Sequence, residues 1–219
     1  MSCWKWRVTS LSELRLKVIE EITGKTDRDK QKKVGPSEIG NPCTRCLGRA
    51  LAGERAEQDF SLYPWIGTAV HYFMEHNTFP DAEHELRLFV GTIDGYGDIA
   101  GTTDMWYAEE GAAVDWKIVG LKKIKQYRAN KPPEQYRYQA MLYGLGLFLK
   151  GYPIEKIAIA FIPRDSGNVK DIWVYEEEWQ EEMAKAALER AQAIFDHVSV
   201  HGWDELESDD NCYQCNMDW

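Results

Sequence analysis

The stretch "AVDWKIVG", residues 113–120, decides how this chain is read. Ala, Val, Trp, Ile and Val make it a strand, yet Asp115 and Lys117 interrupt it two residues apart. Side chains alternate along a strand, so the carboxylate and the ammonium share a face. Just upstream, "GTTDMWYAEEGAAVDWK" (101–117) sets a second strand before a turn near Glu109–Gly111. With Glu109–Glu110 as the loop, paired positions sum to 219 and Asp104 faces Asp115; with Glu110–Gly111 they sum to 221 and Asp104 faces Lys117. Either register gathers all three polar groups on one face. Two carboxylates held close repel unless something positive joins them, and hard oxygen ligands suit Mg²⁺ or Mn²⁺. A lysine beside such an ion can orient a water or neutralise charge developing on a phosphate. An isolated Asp-x-Lys is more often a plain salt bridge, so the argument rests on the wider constellation.

Outward from this stretch, periodicity sketches one α/β (α+β) domain. Helices are expected over 9–24, 36–53, 63–78, 132–151 and 177–198, and strands over 84–119, 154–167 and 169–178. Glycines and prolines punctuate them. The sheet is expected to be largely antiparallel. The reading takes 1–219 as a single domain: a helical part over 1–62, a catalytic core over 63–175, and an acidic helix and tail over 176–219.

The net charge of −10 argues against nucleic acid until it is divided. Residues 176–219 hold thirteen Asp/Glu and two Lys/Arg, a net of −11, which leaves 1–175 at +1. Two basic runs stand out: "LKKIKQYRANK" (121–131), with Lys122, Lys123, Lys125, Arg128 and Lys131 and no acid, and "KTDRDKQKK" (25–33). Runs of this kind are usually solvated loops. The first follows the Asp–Lys strand directly, which points to a polyanion nearby. The longest apolar run, "AMLYGLGLFL" (140–149), is ten residues, too short to span a bilayer. No signal peptide is visible in "MSCWKWRVTS", so a cytoplasmic protein is expected.

Five cysteines in a chain of that kind argue for metal or reactivity rather than disulfides. Cys43 and Cys46 form one C-x-x-C pair and Cys212 and Cys215 another, the pattern of a four-thiolate site. Tetrahedral zinc and an iron–sulfur cluster both use such ligands. Cys3 is left over as a free thiol.

"GTTD" followed by "VDWK" resembles the paired motifs of the PD-(D/E)XK nuclease superfamily. Three more segments are similar to its RecB/AddB-type and CRISPR-adaptation-type exonuclease branch, which has phage members. "GTAVH" carries His71 where that branch has a metal-binding histidine. Glu85 in "HELRL" matches an acidic residue that precedes the Asp strand, with Glu83 a competitor. "QAMLY" matches a Gln-x-x-x-Tyr helix through Gln139 and Tyr143. "CTRCLGRALAG" places Cys43 in the family's upstream cysteine position. The resemblance covers about 36–219.

What the resemblance implies is a PD-(D/E)XK core, a mixed central sheet flanked by helices. It implies a DNA exonuclease acting in recombination, repair or replication, on DNA with a free end, alongside partner proteins of those processes. His71, Asp104, Asp115 and the carbonyl of Ile118 would hold Mg²⁺ or Mn²⁺. Lys117 would position water, Glu85 would assist, and Gln139 and Tyr143 would contact the strand near the scissile phosphate. The relatives often carry a [4Fe–4S] cluster on one cysteine before the core and three after it. This chain has two and two, so the cluster is expected here with Zn²⁺ as the alternative. An inactive DNA-binding module of the same fold, or an interaction protein using its acidic face, are the rival functions.

Overall fold

A computed structural model describes residues 13–23, 33–54, 61–210, 212 and 215. Cys3 and nearly all of the basic run 25–33 lie outside the described residues. The chain divides into two compact units, Met1–Lys32 with Gln58–Phe60, and Lys33–Glu57 with Ser61–Trp219. In the first unit the described element is helix α1, Glu13–Thr23.

The second unit opens with two short helices, α2 (Pro36–Ile39) and α3 (Thr44–Leu51), and then α4 (Leu62–Asn77). Three strands follow: β1 (Glu83–Ile93), β2 (Gly97–Tyr107) and β3 (Ala112–Val119). Helices α5 (Leu121–Asn130) and α6 (Glu134–Leu149) lead to β4 (Lys156–Pro163), β5 (Trp173–Glu178) and α7 (Glu181–His201). The strands lie in sequence order in one five-stranded sheet. β1–β2, β2–β3 and β4–β5 are antiparallel, whereas β3 and β4 run parallel. A parallel pair needs a crossover, and α5 and α6 supply it.

β3 is buried on both faces, and its alternation sorts the core. Ala113 and Val119 join the main core, which includes Ile157, Ile159 and Phe161 of β4 and Leu142 and Leu147 of α6. Ala112, Val114 and Trp116 join a smaller cluster on the other side, where Met74 of α4 packs. Asp115 and Lys117 therefore project from the α6 face. Helix α6 is buried all round from Gln139 to Leu147. Its Gly144 and Gly146 allow close approach. A Cβ on the first would sit 2.3 Å from the Trp179 ring, and on the second 2.7 Å from Leu88 Cβ. Among the described residues no helix is long and apolar enough to cross a membrane.

The basic run 121–131 is helical rather than a solvated loop. Ile124 and Tyr127, three apart, bury one edge of α5 and leave Lys122, Lys123 and Lys125 exposed. Arg128 donates to the carbonyls of Lys170 (3.4 Å) and Ile172 (2.8 Å), so its guanidinium is already engaged. Lys131, exposed, follows the helix at φ 64°.

Candidate active site

The β2–β3 ladder pairs Tyr107 with Ala112, Trp106 with Ala113 and Met105 with Val114, and then ends. These pairs sum to 219, the register in which Asp104 comes to Asp115. The turn is longer than two residues: a 3₁₀ turn, Ala108–Glu110, closed by Gly111 at φ 55°. Where the next pair would form, Asp104 Oδ2 accepts the N–H of Trp116 at 2.7 Å. A side chain thus replaces a strand carbonyl, so the strands part without stranding a buried donor.

Helix α4 lays His71 into the opening. Its Nδ1 is 3.1 Å from Asp104 Oδ1 and its Nε2 is 3.1 Å from the Trp116 carbonyl oxygen. Both ring nitrogens face acceptors, which only the imidazolium satisfies with two N–H groups. Burial lowers the His71 pKa, but the Asp104 hydrogen bond and the charges of Asp104 and Asp115 outweigh it, and the net shift is upward.

Glu85 falls opposite Asp104, between the pairs His84–Met105 and Leu86–Thr103. Its φ of 50° is left-handed inside a strand. For a non-glycine residue that costs about 1–3 kcal/mol, and such strain gathers at functional sites. Donor atoms of His71, Glu85 and Asp104 all lie within 4.8 Å of one another. The competitor Glu83 instead accepts the Tyr152 hydroxyl at 3.0 Å.

Asp115 is 3% exposed. Its Oδ2 sits 2.6 Å from Lys117 Nζ, a buried ion pair. Burial pushes the Asp115 pKa up to about 6, against the pull of Lys117 and with the push of Asp104. Lys117 donates to Gln139 Oε1 at 3.0 Å, over the Tyr136 ring at 5.2 Å. Gln139 Nε2 in turn donates to the Tyr143 hydroxyl at 3.0 Å. Gln139 and Tyr143 are both buried, at 7% and 6% exposure. Burial, then the Asp115 charge, raises the Tyr143 pKa.

The structure thus forms one set, His71–Glu85–Asp104, beside a second, Asp115–Lys117–Gln139–Tyr143, close enough that their charges act on one another. The carbonyl brought against His71 belongs to Trp116, two residues before Ile118, which pairs with Ile162 in the sheet. Sequence reasoning missed the Trp116 carbonyl because a backbone acceptor leaves no mark in residue type. Strand alternation around Asp115 could have raised it.

Elsewhere in the same unit the two cysteine pairs meet. Cys43 Sγ is 3.5 Å from Cys215 Sγ, and Cys46 Sγ is 3.4 Å from both Cys212 and Cys215. Arg45 fastens α3 to the tail by donating to the carbonyls of Leu206 (2.7 Å) and Asp204 (2.9 Å). Burial pushes the Cys43 thiol up, but backbone donors at Asp209 and Cys46 prevail and bring it down to about 7. Burial and the neighbouring thiols raise Cys46 and take Cys215 up to about 11. Four thiolates at this spacing can hold a metal ion.

No protein-family model and no curated protein matches the sequence. Solved structures do match. An alkaline exonuclease (LHK-Exo) from Laribacter hongkongensis aligns at TM-score 0.53 and 11% identity, over 82% of this chain and 92% of its own. The LHK-Exo complex with dAMP aligns at 0.52 and 12%, over 80% and 93%. A candidate exonuclease from Eubacterium rectale aligns at 0.52 and 13%, over 87% and 89%. At these identities the likeness is one of fold. The five-stranded mixed sheet and its flanking helices are the fold that this chain shares with these exonuclease structures.

Proposed function

We propose that this chain is a metal-dependent DNA exonuclease that hydrolyses phosphodiester bonds at a free DNA end. The parting of β2 and β3 around Asp104 carries the reading. It sets an imidazole, carboxylates and a backbone carbonyl in one opening, with the ammonium of Lys117 beside it. His71, Glu85, Asp104 and Asp115 hold Mg²⁺ or Mn²⁺, with the Trp116 carbonyl as backbone ligand in place of that of Ile118. The donors suit such an ion: hard carboxylate and carbonyl oxygens and one imidazole, with His71, Glu85 and Asp104 donor atoms within 4.8 Å of one another. The imidazole favours Mn²⁺. When bound, the ion makes a water more acidic and places positive charge against the phosphate.

The chain's own groups do the rest. Lys117 positions the attacking water and neutralises charge on the phosphate oxygens. Gln139 fixes the Lys117 ammonium, and Tyr143 fixes Gln139. Their burial favours this positioning role over direct contact with the strand. Lys122, Lys123 and Lys125 hold the phosphate backbone. A role in DNA recombination, repair or replication, with partner proteins of those processes, follows from the same reading.

The test is purified protein on linear and covalently closed circular DNA, with Mg²⁺, Mn²⁺ or EDTA. The expected result is nucleotide release from linear DNA alone, lost in EDTA and in Lys117→Ala. Failure to cut any DNA with either metal would refute the activity. Cutting of closed circles would refute the exonuclease assignment.

A further inference from the structure

We propose that Cys43, Cys46, Cys212 and Cys215 hold one tetrahedral zinc ion and not a [4Fe–4S] cluster. The inference is independent of the nuclease reading and rests on the sulfur geometry. In a single-ion site with metal–sulfur bonds of about 2.3 Å, tetrahedral geometry sets the sulfurs about 3.8 Å apart. In a four-iron cluster each thiolate binds a different corner iron, which spreads the sulfurs to about 6 Å or more. Three sulfur pairs here are 3.4, 3.4 and 3.5 Å apart. All four sulfurs lie within 4.8 Å of one another. The cage is closed around one atom and has no room for eight. It is not a pair of disulfides either, since bonded sulfurs lie about 2.0 Å apart.

The surroundings keep the cage small. Cys43 caps α3 and its N–H is held by Asn41 Oδ1 at 2.9 Å. Arg45 grips the tail as described, and Arg190 of α7 donates to the carbonyls of Asn41 and Pro42, both at 2.8 Å. A Cβ at Gly48 would fall 2.2 Å from Leu206 Cδ1, so the tail lies directly against α3. Widening the cage to cluster size would move the tail off α3 and break these contacts. Two C-x-x-C pairs, rather than the one-plus-three arrangement of the cluster-bearing relatives, agree with a single ion.

The test is the full-length protein purified anaerobically from cells supplied with both iron and zinc. Zinc, iron and acid-labile sulfide are measured against protein. The expected outcome is about one zinc per chain, negligible iron and sulfide, and a colourless solution. Exchange into Co²⁺ should give the intense visible bands of a tetrahedral thiolate site, a readout on the unmutated chain. Cys46→Ser and Cys212→Ser should each lose most of the zinc, while Cys3→Ser keeps it. Iron at any substantial stoichiometry overturns the proposal, most plainly about four irons with sulfide and a brown colour. So does zinc that survives in Cys212→Ser. Nuclease activity in the same preparations reports on the other site, so the two readings can fail separately.

Discussion

Asp104 has two tasks, one for each carboxylate oxygen. Oδ2 caps the Trp116 N–H and Oδ1 faces His71. Asp104→Asn can keep the cap with its amide oxygen, while Asp104→Ala leaves a buried donor unpaired, at about 1–3 kcal/mol. Both variants should lose activity by roughly 10²-fold or more, but only the alanine should melt clearly lower. Equal melting temperatures would show that the parted strands do not depend on this side chain. Lys117→Ala should cost about 10²-fold or more in rate while the protein stays folded, as read by circular dichroism and a cleavage assay.

Asp115 gives the site a pH dependence whose sign can be worked out. Its pKa rises from 3.8 to about 6 on folding, so between those values the folded state holds a proton that the unfolded state has lost. Stability of the metal-free protein should therefore fall as pH rises across that window. Divalent-ion affinity should move the other way, since a protonated carboxylate and an imidazolium must both give up protons to bind. Below pH 6, affinity for Mn²⁺ should drop by at least about tenfold per unit in a calorimetric titration. A flat affinity from pH 5 to 7 would place Asp115 outside the ligand set.

Among the elements, α5 and α6 make separate predictions. Reversing Lys122, Lys123 and Lys125 should weaken DNA binding and reduce the log–log salt slope by about 0.7 to 0.9 for each lost phosphate contact. An unchanged slope would move the DNA path elsewhere. Gly144→Ala drives a methyl group into the Trp179 ring, which is held by its Nε1 donating to the Met141 carbonyl at 3.1 Å. That overpacking should cost about 1–3 kcal/mol in a denaturant melt without touching the site residues directly.

What the sequence discloses at this level follows the range of each signal. Asp104, Asp115 and Lys117 are legible because alternation and a short turn are local. The C-x-x-C pairs announce themselves by residue type alone. Helix α5 is hidden because only Ile124 and Tyr127 mark its buried side. The parallel β3–β4 pairing leaves no local trace, since two helices separate the strands. Glu85's left-handed backbone is hidden because no glycine stands there to signal it.

Across the molecule, the four-cysteine cage brings Cys46 to Cys212, residues 166 apart in the chain. With the proposed zinc in place, a polymer physicist would see the core of the protein as a ring whose clasp is an ion. Cross-linking across that span removes about 5 kcal/mol of freedom from the unfolded chain in the loop-entropy model. A disulfide would impose this permanently, whereas a zinc clasp opens when a chelator takes the metal. A strong chelator should therefore lower the melting temperature, and zinc should restore it. The unfolded ensemble should also expand when the ring is cut, so small-angle scattering in denaturant should give a larger radius of gyration for the stripped chain. If the denatured dimensions match with and without zinc, the clasp opens on unfolding, and its contribution lies in the folded contacts alone.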